Sequence, residues 1–249
     1  MFSHADYWKV HTLPYGCGGM TRLSSESTVA SKRYGPQDWI LAALAALANG
    51  GIEAVRIEKL ARELNTSKGS FYWHFTDRPA LLMALLDFWE AEGTDLVISS
   101  AQGLADSAER LRAVAASALV VTEQGVDVAR TEAALRAWAA EDADAGKRIA
   151  RVDGRRVSYL AAILGTMGYD STAADLLGNG IYLALIGLYD ARRYAPSLAN
   201  DHAFTALVES IVASAPRGEH PPTRSSVPVP REQQSIDRAS NDVSDQSSS

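Results

Sequence analysis

The segment Lys59–Leu85 reads KLARELNTSKGSFYWHFTDRPALLMAL and is the most informative part of the chain. Apolar residues recur at helical spacing on both sides of Asn65-Thr66, which predicts two short helices joined by a two-residue turn. Asparagine is one of the few residues besides glycine that accept a left-handed backbone, so Asn65 permits a sharp reversal. Ser67 is the candidate N-cap of the second helix. These proportions are typical of a helix-turn-helix.

The second of these helices has one apolar side, which is expected to face the core, and an opposite side that carries aromatic and polar residues. Phe71 and Phe75 are one turn apart and are expected to face the core, which places Trp73 about 200° away, flanked by Ser70 and Tyr72. An outward Trp-Tyr pair indicates a surface that contacts a partner. Free backbone amides in the first turn favour phosphate, and side chains there can reach base edges. The segment therefore predicts a reader of the DNA major groove.

The rest of the chain predicts an all-α fold in two helical parts. Apolar residues stand at helical spacing through residues 36–214 without sustained alternation, and further helices are expected at about 105–124, 127–140, 143–167, 171–192 and 200–214. The predicted organisation is a flexible arm over 1–33, a three-helix helix-turn-helix domain over 34–77, a larger helical domain over 78–214 and a disordered tail over 215–249.

Composition and motifs exclude several classes of protein. The chain has 249 residues, 47% hydrophobic and 22% charged, as in ordinary globular proteins. Its only cysteine, Cys17, cannot form an internal disulfide or a multi-cysteine zinc site. The five histidines lack metal-ligand spacing, and no nucleophile or phosphate-loop motif occurs, so no enzyme, cofactor or metal is predicted. The absence of a signal segment or a long uninterrupted apolar run predicts a cytoplasmic protein without a membrane span.

The distribution of charge agrees with a nucleic-acid partner better than the total does. The net charge is −6, but residues 31–75 carry six basic and four acidic side chains. The local field at a surface matters more than the total charge of the chain. A slightly basic N-terminal segment, residues 31–75, therefore precedes an acidic remainder of the chain.

Residues 36–90 resemble the DNA-binding domain of the TetR family, the tetracycline-repressor-like transcriptional regulators. The resemblance lies in Leu60-Ala61, Gly69-Ser70, the block Phe71–Phe75 and Arg78 before Ala80-Leu81-Leu82, while Thr66 and Pro79 depart from the usual pattern. It implies DNA contacts by Ser67, Lys68, Gly69, Ser70, Tyr72, Trp73, His74 and Arg78. Physical reasoning separates two roles: Lys68 can read guanine directly, whereas Arg78 is expected to hold a phosphate.

The resemblance also implies a homodimer and a small-molecule effector. The dimer contact is expected on the last two long helices, through Ile181, Leu185, Leu188, Phe204, Leu207, Val208 and Ile211. The effector is expected among the aromatic residues Phe88, Trp89, Trp138, Tyr159 and Tyr182. Packing inside the protein is the alternative for every residue of both sets.

Together these observations predict a ligand-responsive regulator that binds a pseudo-palindromic operator in double-stranded DNA. It is expected to act as a repressor that a small amphipathic molecule releases from DNA. The alternative is a ligand-sensing helical protein that acts through protein contacts and has no operator of its own. Salt dependence of DNA binding distinguishes the two, because phosphate contacts weaken as salt rises.

Overall fold

The structure, a computed structural model, describes residues 34–216. The predicted arm (1–33), which contains Cys17, lies outside this range. So does the predicted tail apart from residues 215 and 216.

Four helices form the N-terminal part: α1 (Pro36–Gly50), α2 (Ile57–Glu63), α3 (Lys68–Tyr72) and α4 (Arg78–Glu90). A 3-10 turn follows α1, and the junction between them needs Gly51, whose φ is 70°. Asp77 caps α4 by accepting a hydrogen bond from the Ala80 amide at 2.8 Å. Pro79 fits the first turn of α4, where a missing N–H costs nothing.

Beyond α4 the helix continues through an unusual turn. Residues Ala91–Leu96 form a π-helical turn, and α5 (Val97–Gln102) and α6 (Ser107–Ala118) follow. A two-residue hairpin then pairs β1 (Thr122–Glu123) with β2 (Val126–Asp127), where a continuous helix to residue 124 was predicted. Gln124 and Gly125 reverse the chain with positive φ values of 47° and 80°. The sequence lacks the usual Asn-Gly or Asp-Gly signal for such a turn, so the hairpin was missed.

Four further helices complete the described chain: α7 (Val128–Glu141), α8 (Ala143–Thr166), α9 (Ser171–Tyr194) and α10 (Asp201–Ala213). Each begins at a side-chain cap, provided by Asp127, Asp142, Asp170 and Asn200. Helices α8 and α9 pack closely where Gly178 faces the α8 backbone. A methyl group at Gly178 would lie 3.0 Å from the Ala161 nitrogen. The predicted all-α class is confirmed, with the hairpin as its one addition among the described residues.

Two apolar clusters hold the helices together. The first joins α1–α4 to α7 and the first half of α8, through residues such as Trp39, Leu85, Leu135 and Ile149. The second joins α6, the second half of α8, α9 and α10, with Ile163 and Val208 at its centre. The predicted boundary between residues 77 and 78 lies inside the first cluster. Helices expected to bind DNA therefore share a core with the larger helical part.

Ion pairs tie α8 to α4 and to the π-helical turn. Arg148 pairs with Asp87 and Glu90. Arg155 pairs with Glu90 and Asp95, and both of its N–O distances are 2.5 Å. Glu90 is mostly buried and receives both arginines. A network of this kind restrains side chains that an isolated surface pair would leave mobile.

By length and composition, one described helix could span a membrane. This helix is α9, in which an 18-residue window has a mean hydropathy of 1.2. No such segment was expected from the sequence, because Gly187 interrupts the apolar run of this helix. One face of α9 packs into the second apolar cluster through Ile181 and Leu188.

Candidate nucleic-acid interface

The turn between α2 and α3 has the geometry that its residues predict. Asn65 adopts a φ of 52°, in the left-handed region, and the Thr66 amide donates to the Ala61 carbonyl at 2.8 Å. Ser67 then caps α3 by accepting from the Ser70 amide at 3.3 Å. Both local predictions, the reversal at Asn65 and the cap at Ser67, are confirmed.

Two phenylalanines anchor α3 from behind. Phe71 is completely buried and Phe75 is nearly so, and their rings stack with centroids 5.4 Å apart. Trp39 of α1 meets Phe71 edge-on at 5.3 Å, an arrangement that aromatic rings favour. The predicted inward side of α3 is confirmed, and α1 is the helix that sets its position.

The opposite side of α3 exposes large aromatic groups. Trp73 is 87% exposed and Tyr72 is 58% exposed. The Tyr72 ring meets Phe71 edge-on at 5.2 Å, so its orientation is partly set from behind. Gly69 is exposed in the first turn, and Ser70 beside it is half-buried. Solvent-facing apolar area of this size on one short helix is unusual for a surface without a partner.

Lys68 lies at the start of α3 and already has an anionic partner. Its ammonium group donates to the Glu58 carboxylate at 2.9 Å, and both side chains are largely exposed. The hydrogen bond from Lys68 lowers the pKa of Glu58. An exposed pair of this kind is weak and is easily exchanged for a phosphate or a base edge.

Two residues predicted to bond the DNA backbone make bonds within the protein. His74 shares a hydrogen bond with the Tyr34 carbonyl at 2.9 Å and remains exposed. Arg78 donates to the carbonyls of Val55 at 2.7 Å and Ile52 at 2.6 Å, and it is half-buried. This geometry does not support the predicted phosphate contact by Arg78, because its guanidinium group instead joins α4 to the segment before α2.

We expect Arg78→Ala to destabilise the helix-turn-helix rather than to remove a DNA contact. Loss of two bonds from a charged donor to carbonyls costs about 1.5–3 kcal/mol, which denaturant unfolding would measure. Arg62→Ala, an exposed arginine on α2, is the matched control and is expected to leave stability nearly unchanged. Unchanged stability with a salt slope of DNA binding reduced by about 1 would instead restore the phosphate role.

Comparison with known proteins identifies the domain that contains this helix-turn-helix. Residues 40–85 match the family model for bacterial regulatory proteins of the tetR family. The chain carries a TetR-family DNA-binding domain. The match runs from within α1 to within α4 and includes the helix-turn-helix with its exposed aromatic pair. Proteins with this domain are DNA-binding regulators and not enzymes.

Solved structures extend the likeness of fold to the larger helical part. A TetR-family transcriptional regulator from Streptomyces coelicolor is 19% identical, with a TM-score of 0.61, over 78% of this chain and 97% of that one. A transcriptional regulator from Saccharomonospora viridis in complex with choline is 17% identical, with a TM-score of 0.62, over 72% and 95%. The regulator FadR from Bacillus subtilis in complex with stearoyl-CoA is 17% identical, with a TM-score of 0.54, over 73% and 99%. No curated protein sequence matches the chain.

Behind the TetR-family domain, a small open cavity lies between α1, the π-helical turn, the hairpin and the start of α7. Its volume is about 70 Å³. Two of the five predicted effector residues, Phe88 and Trp89, line it. The other three do not: Trp138 is buried in the first cluster, Tyr159 points its hydroxyl at the Ile98 carbonyl, and Tyr182 is buried against charged groups. The five predicted effector residues therefore do not line one common cavity in the described part of the chain.

A buried charged network lies directly under this cavity. Glu132 accepts hydrogen bonds from the Trp89 indole at 2.8 Å, from Arg136 at 2.7 Å and from Arg156 at 3.1 Å. Burial alone would raise the pKa of Glu132, but the charges of Arg156 and Arg136 outweigh it and lower this pKa to about 2. Arg136 also contacts Asp153 at 3.2 Å.

Tyr182 belongs to this network rather than to a ligand site. Its hydroxyl donates to Asp153 at 2.6 Å and accepts from Arg136 at 2.8 Å. Burial raises the pKa of Tyr182 to about 12. Sequence reasoning missed the network, although Glu132 and Arg136 are one turn apart on a face that also carries Leu135, and charges on an apolar face are the available signal.

Most residues predicted for the dimer contact are buried within the chain. Only Leu185 and Leu207 keep substantial exposure. The others contribute to the second apolar cluster: Ile181, Leu188, Phe204, Val208 and Ile211. Their helical spacing identified an apolar face correctly, but that face is the inner one of α9 and α10, so these five are corrected to core residues.

Proposed function

We propose that the chain is a dimeric, ligand-responsive regulator that reads a pseudo-palindromic operator and represses transcription until a small molecule releases it. The observation that carries this proposal is α3, which Phe71 anchors while Lys68 and Trp73 face solvent. One recognition helix reads too few base pairs, and a twofold dimer places two of them about 34–36 Å apart. Such a regulator works in the cytoplasm, where the DNA is.

Selection of bound duplexes from a random pool tests this proposal. Enrichment of a sequence with two half-sites supports it. Affinity for that sequence is expected to fall by about 10³–10⁵ between 50 and 200 mM salt if the dimer neutralises about 6–10 phosphates. Enrichment of nothing would favour the alternative, a helical sensor that acts through protein contacts alone.

Within α3, we assign direct base reading to Lys68 and contact with bases or adjoining phosphates to Tyr72, Trp73 and the first-turn residues Ser67, Gly69 and Ser70. On binding DNA, Lys68 exchanges its hydrogen bond with Glu58 for bonds to guanine O6 and N7. In the free protein, Glu58 holds the Lys68 side chain in place. We assign a contact with the DNA backbone to His74, which is exposed next to Trp73. Arg78 positions the domain from inside.

We expect Lys68→Ala to relax sequence preference at one base pair of each half-site. A good contact to a base edge discriminates by about 1–3 kcal/mol, so enrichment at that position should drop by about tenfold or more. The matched control is Lys59→Ala, because Lys59 is also a lysine with a partly exposed side chain that pairs with a glutamate, Glu63, but it lies on α2. Repeated pool selection with each variant measures the effect. Loss of affinity that is equal on all sequences would show that Lys68 contacts only the backbone.

For the dimer, we propose the outer face of α9 rather than its inner face. Leu176 and Leu183 are 69% and 60% exposed and lie two turns apart on this face. Gly180 and Gly187 lie beside them, and a methyl group at either glycine would meet nothing within 4 Å. Small residues between exposed leucines permit close helix approach, and Leu207 of α10 is exposed as well. A four-helix interface from α9 and α10 of two copies would cover this face.

For the effector, we propose the cavity that Phe88 and Trp89 line. It touches α1 through Leu41 and Leu44, and α1 supports α3 through the Trp39–Phe71 contact. A ligand there can therefore shift the recognition helix. The choline and stearoyl-CoA complexes of two proteins with this fold support a small-molecule effector, although those ligands differ widely in chemistry.

A further inference from the structure

The cavity behind the TetR-family domain combines an apolar wall with an acidic rim. Leu41, Leu44, Phe88 and Trp89 form the apolar wall. Glu92 and Glu123 stand at the rim, on the π-helical turn and on the hairpin. Apolar cavities with a few placed polar groups are the usual form of small-molecule sites.

The two rim carboxylates have no cationic partner in the part of the chain that the structure describes. Among the described residues, neither Glu92 nor Glu123 forms an ion pair with lysine, arginine or histidine. Burial raises the pKa of Glu92, and burial together with the neighbouring Glu92 charge raises the pKa of Glu123. The third glutamate at the cavity, Glu132, differs because two arginines neutralise it. Within residues 34–216, the cavity therefore has two like charges and no cation that balances them.

The backbone around the rim is also unusual. Glu92 and Gly93 belong to a π-helical turn, a distortion that is frequent at functional sites. Gln124, at the hairpin tip, has a positive φ and presents its amide to Glu92 at 3.4 Å. The same amide group accepts from Gln37 of α1 at 3.3 Å. A chain of hydrogen bonds thus runs from the acidic rim to the helix that supports α3.

We propose that this cavity binds the ammonium head of an amphipathic organic cation, which lies between Glu92 and Glu123 with its apolar part against the aromatic wall. This inference rests on the proposed effector role of the cavity and names the chemical class of the effector. A cation relieves the repulsion between the carboxylates and is attracted to aromatic rings. A neutral molecule gains only the apolar contact, and an anion adds a third like charge. The volume of about 70 Å³ suits a small apolar group, and the ammonium head then stays at the rim beside the two carboxylates.

The binding order of three matched probes tests the class of ligand. Benzylammonium, benzyl alcohol and benzoate have the same ring and differ in charge, and calorimetric titration of the full chain at pH 7 compares them. We expect benzylammonium to bind at least tenfold more tightly than benzyl alcohol and benzoate not to bind. Tighter binding of benzyl alcohol or benzoate, or no binding by benzylammonium, would overturn the cation class.

Substitution of the two rim glutamates tests whether they cause the preference for a cationic ligand. The double variant Glu92→Gln/Glu123→Gln keeps the shape of the cavity and is expected to weaken benzylammonium by at least tenfold while leaving benzyl alcohol unchanged. Glu109→Gln, at an exposed position on α6, is the matched control and is expected to change neither. Unchanged benzylammonium binding in the double variant would overturn the assignment.

The effect on DNA separates this inference from the proposed function. Pool selection without any ligand tests DNA reading alone. On the selected duplex, benzylammonium is expected to weaken binding of the natural chain by about 5–150-fold and to have no effect on the double variant. Duplex selection that succeeds with no benzylammonium effect would overturn the cationic effector and leave the DNA-binding proposal intact.

Discussion

Glu132→Gln is expected to lower the free energy of unfolding by about 3–5 kcal/mol, a large part of the 5–15 kcal/mol that stabilises an ordinary domain. The substitution keeps the shape of the side chain but removes the one carboxylate that both Arg136 and Arg156 contact. Arg156 is mostly buried, with 15% of its side chain exposed, and its guanidinium group lies 4.7 Å from the centre of the Trp89 ring, so these contacts hold it close to Glu132. Denaturant unfolding of the full chain measures the loss.

The control for this prediction is Glu141→Gln, an exposed glutamate on the same helix, which should change stability little. Glu132→Gln combined with Arg156→Met is expected to be less destabilised than the sum of the single variants, because the second change removes a charge that the first left unpaired. A loss below about 1 kcal/mol for Glu132→Gln would contradict the account of the network.

The same network makes stability depend on pH. The pKa of Glu132 in the folded protein, about 2, lies below its usual value of 4.5. Its contribution is therefore complete above pH 4.5 and is lost as the pH falls toward 2. Glu132→Gln should remove this part of the acid dependence.

Leu183→Arg is expected to convert the proposed dimer to monomers and to reduce operator affinity by about 100-fold or more. Leu183 lies at the centre of the exposed apolar face of α9, so an arginine there would place two like charges near the twofold axis of the proposed interface. A monomer binds only one half-site and therefore loses the gain in affinity that a dimer has from binding two half-sites at once. Sedimentation or size-exclusion chromatography measures the assembly, and titration on the selected duplex measures the affinity.

Ala150→Arg is the matched control for Leu183→Arg, because it adds the same charge at an exposed position on α8. It is expected to leave both the assembly and the affinity unchanged. A dimer that survives Leu183→Arg would exclude the outer face of α9 as the interface. Helical content measured by circular dichroism distinguishes a folded monomer from an unfolded chain.

The helix-turn-helix could be predicted in detail because its signals are local. Asn65 takes the left-handed backbone and Ser67 caps α3 through contacts that reach no further than a few residues along the chain. Phe71 and Phe75 are one helical turn apart, so rotation about the helix axis was enough to place Trp73 on the outside. Each of these predictions needed only residues of the same segment.

Predictions that depended on partners far away in the sequence were less accurate. Arg78 is 26 residues from Ile52 and 23 from Val55, and nothing in the sequence marks those two carbonyls as its acceptors. Leu188 was recognised as apolar, but spacing alone does not say whether an apolar face meets the same chain or a second copy. The hairpin at Gln124 was missed because its turn residues lack the usual signal.

By itself, the sequence determined that two short helices meet at a tight turn and that one of them exposes lysine, tyrosine and tryptophan, because backbone preference and helical periodicity act over a few residues. Tertiary structure alone decided which charges are paired and which are not. Glu132 lies between two arginines from two helices, whereas Glu92 and Glu123 face one cavity to which the described residues contribute no unpaired cation. The physical reason is that electrostatic interactions depend on distance in space, and distance in space between remote residues arises only when the helices pack.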